Sequence, residues 1–171
     1  MTPQKTNTIT NLRFAKDVLQ GLSEQPKRLP SKYFYDAEGD RLFQEIMAMP
    51  EYYLTKAEFE ILGTHKAALL ERFGPGHFDL VELGAGDGYK TKVLLEHFLA
   101  ASADFTYCPV DISGNVLEHL EADLHQAWPQ LPVQCMKGDY FQMLESLQYR
   151  SEAKKVILFL GANIGNLGPA R

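Results

Sequence analysis

The sequence predicts an α/β fold in which an N-terminal helical region precedes a parallel, doubly wound sheet. Two observations carry this. Apolar runs of strand length occur at residues 78–83, 105–110, 133–136 and 155–160, and segments of helical period stand between the early ones. The chain also changes character at Gly74-Pro75-Gly76, a turn cluster between a helical pattern and the first strand-like run. Strands alternating with helices imply right-handed crossovers and a sheet whose ligands sit at the carboxyl ends of its strands. The expected division is a helical region over residues 1–76, covering substrate and cofactor, and the first half of the sheet domain over residues 77–171.

Before the boundary, Leu12, Ala15, Val18 and Leu19 recur at helical spacing, and the aromatic stretch Tyr33-Phe34-Tyr35 follows a polar segment. A second helix is predicted at residues 40–49, ended by Pro50. Thr55-Lys56-Ala57-Glu58 has the form of a capping box for a third, running to residue 72. Beyond the boundary, helices are predicted at residues 90–100 and 115–128. In the latter Ser113 is the N-cap, and Val116, Leu117, Leu120 and Leu124 form the core stripe.

Composition narrows the function. The 171 residues are 45% hydrophobic and 23% charged, enough for one well-packed core. A net charge of −5 and a pI near 5.5 give no basic face for a nucleic acid or an anionic membrane, so a small-molecule substrate is favoured. Cys108 and Cys135 lack metal-site spacing, and no metal ligand set is visible; a reducing cytoplasm fits best. The longest purely apolar run, residues 156–160, is too short to span a bilayer, and residues 1–10 carry no apolar signal core.

The strongest local signal is Val81-Glu82-Leu83-Gly84-Ala85-Gly86-Asp87-Gly88, a strand running into a glycine-rich turn and then a helix. A dinucleotide loop needs GxGxxG, and Tyr89 stands at the third glycine position; no GxxxxGK[ST] string is present either. An ExGxGxG loop after the first strand instead resembles the form used by S-adenosylmethionine-dependent methyltransferases. Asp111, after the second strand, can accept both hydroxyls of an adenosyl ribose. Asp139, after the third, can take the adenine amino group, with Tyr140 beside the ring. Either aspartate taken alone reads equally well as a helix cap or turn residue.

Several spaced motifs then point to one family. Leu29-Pro30-Ser31-Lys32-Tyr33-Phe34-Tyr35-Asp36, Leu42-Phe43, Pro50-Glu51-Tyr52-Tyr53-Leu54-Thr55-Lys56-Ala57-Glu58 and Phe159-Leu160-Gly161-Ala162-Asn163-Ile164-Gly165-Asn166 resemble the signatures of the histidine-specific α-N-methyltransferases of ergothioneine biosynthesis. The resemblance implies a Rossmann-like methyltransferase fold with strand order 3-2-1-4, incomplete at the C-terminus and leaving the fourth strand as an edge open to self-association.

The same resemblance implies S-adenosyl-L-methionine as cofactor, with Gly84 at its amino-acid end, Lys90 near its carboxylate, Asp111 on the ribose, and Asp139 with Tyr140 at the adenine. Tyr52, Gly161 and Asn166 match positions contacting the α-amine and carboxylate of the amino-acid substrate. Read without the family, Tyr52 is a core aromatic, Lys90 a solvated residue at a helix start, and residues 161–166 a strand-ending turn. The implied reaction gives the trimethylated betaine of histidine, in a piece of chain inactive alone. The alternatives are another amino-acid substrate, such as a tryptophan derivative, or a non-catalytic cofactor-binding module.

Overall fold

In a computed structural model describing residues 7–34, 36–147, 152–161 and 164, the chain runs through ten regular elements. They are α1 (Asn7–Ser23), α2 (Ala37–Met47), α3 (Leu54–Phe73), β1 (Phe78–Leu83), α4 (Lys92–Ala100), β2 (Phe105–Asp111), α5 (Gly114–Ala127), β3 (Met136–Lys137), α6 (Tyr140–Leu147) and β4 (Lys154–Leu158), with a short 3-10 turn at Ser31–Phe34. Two compact units result, Met1–Phe34 and Tyr35–Arg171.

In the first unit, α1 carries Asp17, whose carboxylate accepts bonds from the Lys32 ammonium and the Tyr33 hydroxyl, each at 2.6 Å. Phe14 packs edge-on against the Tyr33 ring at 4.8 Å, so the 3-10 turn is fastened by one charged and one aromatic contact.

The second unit is built on a sheet of order β3-β2-β1-β4, every pair parallel. All six residues of β1 are buried, as expected of a central parallel strand covered on both faces. Its alternate side chains divide between two cores. Phe78 and Leu80 point with Tyr107 and Val156 toward α3, α4 and α5, where Leu62, Leu94, Phe98 and Leu120 close over them. Val81 and Leu83 point the other way with Cys108 and Val110, toward Leu147, Met143 and Leu144 of α6. Phe78, Phe98 and Phe105 anchor the first core with ring centroids 5.7 to 6.2 Å apart. Each such ring contributes roughly 1.5–3 kcal/mol by burial. α5 starts as its sequence dictates, with Ser113 accepting the Val116 N–H at 3.3 Å.

The third strand and the start of α3 depart from expectation. Residues 133–136 were read as a strand, yet β3 is only Met136–Lys137, and Val133 makes a single isolated bridge to Tyr107. Pro132 explains part of this: it has no N–H for a ladder, though its carbonyl accepts from Tyr107 at 2.9 Å. The capping box does not form. Tyr53 precedes α3 in a helical conformation with no side-chain cap, Thr55 lies inside the helix, and Glu58 is used elsewhere. α2 begins three residues earlier than expected because Asp36 caps it through the Gly39 N–H at 2.9 Å. α6, whose short apolar pattern lies beside the turn at Gly138, was not foreseen.

No helix among the described residues is long and apolar enough to cross a membrane. Cys108 is buried and donates its S–H to the Thr106 carbonyl, and burial pushes the Cys135 thiol up to about 11.

Candidate functional site

The loop after β1 turns through positive φ at Gly84, Gly86 and Gly88, at 73°, 58° and 65°. Two of these glycines are required for different reasons. A Cβ on Gly88 would lie 2.7 Å from the Leu120 Cδ1, so glycine lets the loop settle onto α5. A Cβ on Gly86 would meet nothing within 4 Å, so that face of the loop is open for a ligand to approach the backbone.

Hydrogen bonds fix the loop to the neighbouring strand ends. The Gly84 N–H donates to the Val110 carbonyl at 2.8 Å, and the Gly86 N–H to the Asp111 carboxylate at 3.1 Å. Asp111, the last residue of β2, also accepts the Ser113 N–H at 2.9 Å, while its carbonyl accepts the Gly138 N–H at 3.0 Å. The turns after β1, β2 and β3 therefore converge on one aspartate. Burial raises the pKa of Asp111, the charge of Asp40 adds to the rise, and the bonds from Ser113 and Gly86 oppose it. Asp40 belongs to α2 and accepts the Ser113 hydroxyl at 2.7 Å, which ties the helical segment before the sheet to this edge.

Asp139 and Tyr140 lie at the same edge. The Asp139 carboxylate accepts the Phe141 N–H at 3.1 Å, and its carbonyl accepts from Met143, so it caps α6. Tyr140 opens α6 and packs its ring edge-on to Phe159, with centroids 5.7 Å apart.

Beneath the loop, Glu82 is 2% exposed and accepts hydrogen bonds from the Thr91 hydroxyl, at 2.6 Å, and the Tyr107 hydroxyl. Burial pushes its carboxyl up to about 7, against the pull of those two hydroxyls. Burial and the neighbouring Glu82 charge hold the Tyr107 phenol well above its ordinary range, so it stays a donor.

Lys90 and Gly161 are brought together by a residue the sequence reading had assigned to a cap. One Glu58 oxygen receives the Lys90 ammonium at 2.6 Å and the other the Gly161 N–H at 2.5 Å. Tyr52 stands apart from this bridge, in a groove of about 830 Å³ lined also by Met47, Met49, Phe59, Asp87 and Tyr89. The Tyr52 ring meets Phe43 edge-on at 6.2 Å, and Phe59 stacks on Tyr89 at 5.0 Å. Tyr52 thus shares a groove with the glycine loop. Asn166 lies outside the described residues. Among the described residues, no group of three His, Cys, Asp or Glu side chains is placed to hold a metal ion.

Sequence reasoning missed Glu58, Asp40, Thr91 and Tyr107. Glu82 carried a usable signal, as one of two acidic residues, with Asp79, in a strand whose other four residues are apolar.

The family described as "Histidine-specific methyltransferase, SAM-dependent" matches residues 14–171. The chain belongs to that family. It is 37% identical over 91% of its length to a histidine N-alpha-methyltransferase of Mycolicibacterium smegmatis, and 33% identical over 93% to one of Mycobacterium tuberculosis. A 4-dimethylallyltryptophan N-methyltransferase of Epichloe festucae var. lolii is 31% identical over 87% of the chain and 44% of its own length. The chain spans about half the length of the histidine N-alpha-methyltransferases it matches, 47% and 48%.

The cradle fits the cofactor in the family's description. The Asp111 carboxylate offers about four acceptor sites, more than its backbone donors use, which suits a vicinal diol, and the Gly86 face leaves room for a ligand.

Proposed function

We propose that this chain forms the S-adenosylmethionine-binding half of a methyltransferase acting on the α-amine of an amino acid, with histidine as the substrate and its trimethylated betaine as the product. The convergence of three strand-end turns on Asp111, in a member of this family, is the observation that carries the reading. Asp111 takes the ribose hydroxyls, Asp139 and Tyr140 take the adenine, and Gly84 with Lys90 takes the amino-acid end. The bound cofactor supplies a methyl group already activated on a sulfonium.

This chain's residues have then to orient and to exclude water. Tyr52 directs the substrate amine from the groove beside the glycine loop, and Gly161 and Asn166 contact the substrate's amine and carboxylate. Alignment of an unprotonated amine with the methyl–sulfur bond is catalysis by proximity, and no protein nucleophile is needed. The aromatic and methionine lining of the groove also suits an indole, and the Epichloe relative makes a tryptophan derivative the second candidate.

The protein that carries this chain, incubated with S-adenosylmethionine and either histidine or tryptophan, tests the assignment by mass spectrometry. Mono-, di- and trimethylated histidine are expected, whereas methylation of tryptophan alone would reassign the substrate.

A further inference from the structure

Glu58 sits in the second turn of α3, yet both its oxygens point out of the helix to two separate parts of the sheet's carboxyl edge. One receives the Lys90 ammonium just beyond the glycine loop; the other receives the backbone N–H of Gly161, three residues past β4. The pair is largely shielded, with the Lys90 and Glu58 side chains 20% and 25% exposed. Gly161 has φ +76°, and a Cβ built on it would lie 3.7 Å from the Lys90 Nζ, so the glycine backbone faces the ammonium directly.

We propose that Glu58 is a positioning residue for the amino-acid end of the cofactor, holding the Lys90 ammonium and the Gly161 amide as one unit. The inference rests on the cofactor site proposed above and adds a residue to it. A free lysine side chain must lose rotamer freedom when it pairs with a carboxylate, and Glu58 imposes that order in advance. The amino-acid end of the cofactor is a zwitterion, and a fixed pair of opposite charges complements it better than a lone cation.

Only a carboxylate suits both donors. A glutamine offers one acceptor and one donor, so in Glu58→Gln either Lys90 or Gly161 loses its partner. An aspartate is one methylene shorter, which impairs the span between the two.

S-adenosylhomocysteine and 5′-methylthioadenosine are the probes, because the second has the nucleoside and sulfur of the first without the amino-acid end. Calorimetric titration of Glu58→Gln should show S-adenosylhomocysteine weakened about tenfold or more, the scale for hydrogen bonds to charged groups. Methylthioadenosine should stay within about twofold of the parent, and Glu58→Asp should fall between parent and Gln. In a Lys90→Met background, Glu58→Gln should add less than about twofold, since the two substitutions break one linkage. Equal weakening of both ligands, unchanged S-adenosylhomocysteine affinity, or a Glu58→Gln chain that unfolds by circular dichroism would overturn the role of Glu58. Failure of the parent to bind either ligand would instead overturn the site on which the proposal stands.

Discussion

Glu82 and Thr91 meet at 2.6 Å beneath the glycine loop, an acidic side chain and a hydroxyl that are both buried. Because the Glu82 carboxyl is raised to about 7 in the fold from its ordinary 4.5, the native state holds its proton more tightly than the unfolded chain does. Its contribution to stability is therefore fully present below about pH 4.5 and is lost as pH rises through about 7, a change of roughly 3 kcal/mol for this one group.

Replacing Glu82 by Gln removes that titration and keeps a side chain able to bond both hydroxyls. Urea unfolding of the variant should show a flatter stability profile across this window, with its advantage over the parent greatest above pH 7. Profiles of the same slope would show that Glu82 is ionised throughout.

β4 occupies one end of the strand order, and Ile157 on it is 50% exposed. An apolar edge strand with unpaired backbone groups is a template for pairing with a second copy. We propose that the chain self-associates through β4, so light scattering should show mass rising with concentration, and Ile157→Lys should suppress the rise. A constant monomer mass for the parent excludes it.

How much could be read from the sequence follows from what each element depends on. β1 and its loop were legible because their signals are local: four apolar residues within a six-residue run, then glycines where positive φ is required. The order β3-β2-β1-β4 followed from the alternation and the family resemblance together. Glu58 was misread because Thr55 and Glu58 satisfy a spacing rule, whereas the partners that decide its role, Lys90 and Gly161, lie 32 and 103 residues away. The short β3 and α6 were lost for a related reason, since two strand residues and an eight-residue helix offer little periodicity to detect.

The most direct test of the account is calorimetric titration of S-adenosylhomocysteine into this chain and into its Asp111→Ala variant. Binding at a single site is expected in the parent, with about 1.5–3 kcal/mol lost in the variant, the scale for hydrogen bonds to a charged group. Because the Asp111 pKa is raised, parent affinity should also fall on acidification at a higher pH than an ordinary aspartate would give. Equal affinities in parent and variant, or no binding to the parent at all, would contradict the assignment of the sheet's carboxyl edge as the cofactor site.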